Sequence, residues 1–115
     1  MIEPTLYYET LNRAAVLIKA RKPFYDWVRY VDPDFPVVED DEGTIYLIPD
    51  QATTPKIESW LKNNYSKIFI NELSDYHTDV NDWPQKRTYR EFKNWFSVEI
   101  SSMVVDLLEE PIVKE

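Results

Sequence analysis

The chain contains no cysteine, one glycine and one histidine. Without thiols it can form no disulfide, thiolate nucleophile, iron–sulfur cluster or cysteine-based zinc site. A single glycine excludes both the P-loop and the dinucleotide-binding fingerprint, each of which uses several glycines to bring backbone N–H groups up to phosphate. His77 is the only imidazole, which excludes multi-histidine metal centres and leaves one possible base for a Ser/His/Asp arrangement. No apolar run approaches the ~20 residues of a membrane helix, and Met1-Ile2-Glu3-Pro4 offers no basic region ahead of an apolar one. These absences lead to the expectation of a cytoplasmic protein with no cofactor and no membrane contact.

Bases are scarce too, 13 against 21 acids for a net charge of −8. Such acidity accompanies disorder only when apolar residues are few. Here 43% of residues are hydrophobic and 15% aromatic, enough to outweigh the entropy of ordering. At 115 residues the chain fits one domain with one core, taken as residues 1–115.

Periodicity divides the chain into elements. Ala14 to Ala20 is a short apolar run that reads as a buried strand, closed by Arg21-Lys22-Pro23. Phe24, Trp27, Val28 and Val31 recur at helical spacing until Pro33 bars continuation. Phe35 to Glu39 and Thr44 to Ile48 read as two strands of a hairpin, with Gly43 in a left-handed conformation closing the turn. Thr54-Pro55 opens the longest helix, whose stripe runs through Ile57, Trp60, Leu61, Tyr65, Ile68, Phe69 and Leu73. Residues 75–87 read as a polar loop. Thr88 and Glu91 form a capping-box pair before Phe92, Trp95 and Phe96. Alternation from Val98 marks a last strand ending near Leu107.

The expected order is thus strand, helix, strand, strand, helix with an extra helical turn, strand. This is the split βαβ pattern of a ferredoxin-like α+β sandwich: a four-stranded antiparallel sheet with helices on one face. The other face would be partly open, with Leu17, Tyr46, Ile48, Met103 and Val105 projecting from it. Such a face could pair two copies of the chain. The pattern hosts many activities and implies none of them.

Charge is concentrated in the connections. Residues 32–50 hold seven acids and no base, whereas residues 86–95 sum to +3. Glu39, Asp40, Asp41 and Glu42 read either as a solvated guard on a strand edge or as a docking surface for a basic partner. Asp75, His77 and Asp79 alternate and Asp82 follows, so an extended backbone could gather them for a divalent metal or a general base. The competing reading places His77 at a helix C-terminus, interacting with the helix dipole. Trp83, between Asp82 and Pro84, either pins its loop or waits as an exposed anchor.

Nucleic acid is disfavoured, because the third expected strand, Thr44-Ile45-Tyr46-Leu47-Ile48, has one aromatic and lacks a basic RNA-recognition signature. The expectation is a non-catalytic module that recognises a protein partner or itself. Its rivals are a metal- or small-molecule-dependent protein centred on Asp75, His77 and Asp79, and an acidic mimic of nucleic acid that blocks a basic protein.

Overall fold

A computed structural model of the chain describes residues 9–39 and 42–115. Strand β1 (Arg13–Ala20) turns Ala14, Val16 and Ile18 inward, each fully buried, because successive side chains of a strand alternate between faces. Helix α1 (Lys22–Val31) follows at once with Pro23 in its first turn, where a missing N–H costs no helical hydrogen bond. Its buried side is Phe24, Tyr25, Trp27 and Val28. Strand β2 (Thr44–Pro49) precedes helix α2 (Thr54–Tyr76), whose N-cap is Thr53, its hydroxyl accepting from the Lys56 amide. Helix α3 (Tyr89–Trp95) starts where Thr88 accepts from the Glu91 amide at 3.1 Å, and strand β3 (Phe96–Ser101) leaves it without a linker.

The sheet has the order β2-β1-β3, both pairings antiparallel. Val16 stands opposite Tyr46 on one side and Ile100 on the other. That register puts Ala14, Val16, Ile18, Tyr46, Ile48, Phe96, Val98 and Ile100 on one face. The core joins this face to Phe24, Trp27 and Val28 of α1, Ile57, Leu61, Ile68, Phe69 and Leu73 of α2, and Phe92 of α3. Phe69, Phe92 and Phe96 meet pairwise with ring centroids 5.4 to 5.9 Å apart and are essentially sealed from solvent. Truncating one of them to alanine should cost about 3–5 kcal/mol.

The architecture is α+β, but the expected four-stranded sandwich does not form. Phe35 to Glu39 is not a strand. Pro36 has no N–H to give a ladder, and Pro33 and Pro36 restrict the residues before them. Side chains then hold the run against the helices: Phe35 meets Tyr76 of α2 edge-on at 6.2 Å, and Glu39 pairs with Arg29 of α1 at 3.2 Å. Among the described residues the sheet therefore ends at β2.

Gly43 also differs from expectation, since no glycine has a positive φ. Its small size matters for another reason. A Cβ there would lie 2.5 Å from the Ile18 carbonyl oxygen and 2.8 Å from Lys19 Cγ, so only glycine lets the chain come this close to β1.

Two further readings are corrected. Tyr46 and Ile48 face the core; the residues turned away from it are Ala15, Leu17 and Lys19 of β1, Ile45 and Leu47 of β2, and Ser97, Glu99 and Ser101 of β3. The last strand stops at Ser101, whose hydroxyl bonds the Met103 backbone, and among the described residues an isolated bridge between Thr10 and Val105 lies beyond it.

Candidate functional site

The segment after α2 is held by its tryptophans. His77 is the C-cap residue of α2, its amide bonded to the Leu73 carbonyl at 3.0 Å. From there the Trp83 indole N–H donates to the His77 carbonyl at 2.7 Å, and the Trp27 indole N–H donates to the Asp82 carbonyl at 2.9 Å. These bonds fasten both ends of a turn of 3₁₀ helix, Val80–Asp82, to the body of the protein. Trp83 thus sits half-buried as a pin, with the Arg87 guanidinium 6.0 Å from its ring.

His77 Nε2 lies 2.7 Å from Asp82 Oδ2, within hydrogen-bonding distance. Trp27 meets the imidazole edge-on at 6.3 Å. Asp79 is turned elsewhere, capping the short turn by accepting from the Asn81 amide at 3.0 Å. Asp75, on the last turn of α2, lines a cavity on the side of β2. Among the described residues, no group of three or more His, Asp or Glu side chains comes together as a metal-holding set.

The acids of the 39–42 connection are also separated. Glu39 is engaged by Arg29, and Glu42 borders the cavity that Asp75 lines. Asp40 and Asp41 lie outside the described residues. The cavity, of about 450 Å³, takes in Glu42, Glu72 and Asp75, and no Lys, Arg or His is among the described residues around it.

Beside it is a polar cluster that sequence reading missed. The Tyr46 hydroxyl donates to Glu72 Oε2 at 2.8 Å and accepts from Asn71 Nδ2 at 2.9 Å. Burial pushes the Glu72 carboxyl above its ordinary 4.5; the Tyr46 hydrogen bond opposes that rise and the nearby Asp75 charge adds to it. Burial likewise drives the Tyr46 phenol well above its usual value, with Glu72 adding to the effect and the Asn71 donor opposing it. The cluster ties the open edge of the sheet to α2. Tyr46 carries the same alternation signal as Ile48, so fixing the strand's face correctly would have revealed it.

The other feature is a sheet face that no helix among the described residues covers, bordered at Leu47 by residues 9–13 and the C-terminal segment across a cavity of about 900 Å³. Ile45 is 65% exposed and Leu47 45% exposed, with Ala15 and Leu17 half-buried beside them. A shallow depression of about 210 Å³ lies between Leu17, Ile45 and Glu99. Ile45 and Leu47 of β2 and Ala15 and Leu17 of β1 form an apolar strip on this face, with Lys19 at its end, while β3 contributes only Ser97, Glu99 and Ser101. No helix among the described residues is long and apolar enough to cross a membrane.

No family model matches the chain, and neither a curated protein nor a solved structure matches it.

Proposed function

We propose that the chain is a non-catalytic interaction module of the cytoplasm that docks a protein on the apolar strip of its sheet. The observation that carries this reading is the placement of Leu17, Ile45 and Leu47 on a face that no helix among the described residues covers. Apolar side chains held out in water by a rigid sheet gain most of their hydrophobic free energy only when a partner covers them. Nothing comparable favours catalysis, which needs a reactive group beside a partner that activates it. Asp79 spends its carboxylate on a cap, and His77 and Asp82 bond each other within a pinned turn. A surface imitating nucleic acid needs rows of carboxylates without internal counter-ions, and Glu39 has one.

The partner is another protein or a second copy of this chain. Self-pairing through the strip alone would be weak, since a stable interface takes about 800 Å² from each side. Photo-crosslinking side chains placed at Ile45 and Leu47 should capture a discrete partner in cells. The same label at Glu58 or Lys62, exposed on α2, should not. Equal capture from all four positions would contradict the reading, as would capture from none.

A further inference from the structure

Among the described residues β2 has one sheet neighbour, β1, so a row of its backbone N–H and C=O groups points away from the sheet. Edges of this kind template further strands unless lysines, bulges or prolines blunt them. β2 has only Pro49, at its end; Thr44 to Ile48 are uncharged and contain two isoleucines, a tyrosine and a threonine, residues that favour strands. The apolar strip lies along this same edge, with Ile45 and Leu47 on β2 itself and Ala15 and Leu17 on its neighbour. A strand added beside β2 would extend that strip with every second side chain.

Charge selects the occupant. Glu42 stands two residues before β2 and Asp50 directly after it, in a stretch from 32 to 50 with seven acids and no base. Two copies pairing their β2 strands antiparallel would bring Glu42 of each toward Asp50 of the other, placing like charges together at both ends. The chain's own C-terminal segment borders Leu47 across a cavity of about 900 Å³, and its Asp106, Glu109 and Glu110 outnumber Lys114, so along the edge beside Asp50 it meets the same repulsion. A basic segment meets attraction, reinforced at the Glu42 end by the cavity that holds Glu72 and Asp75.

We infer that β2 accepts an extended segment of a partner protein as an added strand, apolar at alternate positions and carrying Lys or Arg at both ends. One basic end faces Glu42, Glu72 and Asp75, the other Asp50. This rests on the docking reading above and names the partner's chemistry. Main-chain hydrogen bonds supply affinity in such an arrangement, and the side chains supply choice.

The test is selection of a random-peptide library against the immobilised full chain, followed by amide hydrogen exchange with the recovered peptides. Selection should enrich peptides with basic ends around alternating apolar residues, and these should slow exchange at the outward amides of Thr44 to Ile48. N-methylation at one alternate set of peptide amides should abolish binding, while methylation of the other set is tolerated. Glu42→Gln with Asp50→Asn should weaken binding roughly tenfold at low salt. No enrichment, or enrichment without basic ends, overturns the inference. Peptides that shift the Ile45 and Leu47 side-chain resonances but leave β2 exchange unchanged also overturn it, while the docking face survives. Peptides that touch neither remove both.

Discussion

Gly43→Ala adds one methyl group at the point where the chain enters β2, and two opposing effects set its cost. The backbone has no positive φ at this position, so alanine suffers no left-handed strain. It even gains about 0.4–1 kcal/mol by restricting the unfolded chain. Against this, the new Cβ would sit 2.5 Å from the Ile18 carbonyl oxygen, 2.8 Å from Lys19 Cγ and 3.0 Å from Leu17 Cδ1. The lysine carbons can swing aside. The Ile18 carbonyl cannot move freely, because it belongs to the central strand, so β2 must shift away from β1. Overpacking of this kind costs about 1–3 kcal/mol and outweighs the entropy gain, leaving a net loss of about 1–2 kcal/mol. Urea unfolding followed by tryptophan fluorescence should show it, as should a melting temperature lower by roughly 4–8 °C. Gly43→Asn separates the causes, since asparagine is among the best tolerated residues in a left-handed turn but brings the same Cβ here. Close approach to β1 makes asparagine at least as harmful as alanine. Wild-type stability in the alanine variant, or its restoration by asparagine, would refute close approach to β1 as the cause.

Three other substitutions probe the rest of the molecule. Tyr46→Phe removes the hydroxyl between Asn71 and Glu72 and should destabilise by about 1–2 kcal/mol in denaturant titration; an unchanged midpoint would mean water replaces the hydroxyl at no cost. Burial raises the Glu72 carboxyl, so between its unfolded and folded values the native chain holds more protons than the unfolded chain. Stability should therefore fall as pH climbs from about 4.5 through the folded value, and be fully regained below that window. Glu72→Gln should flatten this part of the pH profile, and a variant that keeps the wild-type slope would contradict the assignment. Trp83→Phe keeps the ring but loses the indole donor to the His77 carbonyl, which should cost about 1 kcal/mol and speed amide exchange across residues 77–83; unchanged exchange there would deny Trp83 its pinning role.

The helices were legible because their signals are local. Thr88 with Glu91, Pro23 in a first turn, and the stripe from Ile57 to Leu73 depend only on neighbours three or four residues away. The strand at Ala14 to Ala20 was legible for the same reason. What failed was non-local. Phe35 to Glu39 has the composition of a strand, but whether it pairs was decided by Pro36 and by partners on two helices, Tyr76 and Arg29. The facing of Tyr46 and Ile48 depends on register against β1, and a one-residue change of register exchanges the two faces of a strand. Gly43 shows the same limit, since a glycine needed for a turn and one needed for close approach are identical in sequence. Within the candidate site, the alternating Asp75, His77 and Asp79 suggested a cluster only on an extended backbone, and α2 continues through Tyr76.

Backbone amide hydrogen exchange on the isolated chain tests most directly whether the edge of β2 is open. β1, bonded on both sides, should exchange slowly along its length. Within Thr44 to Ile48, amides turned toward β1 should be slow and those between them fast, an alternation that reports one bonded side and one free side. Uniform slow exchange through β2 would show its outer edge already covered in the free protein, and the added strand would then have to be given up.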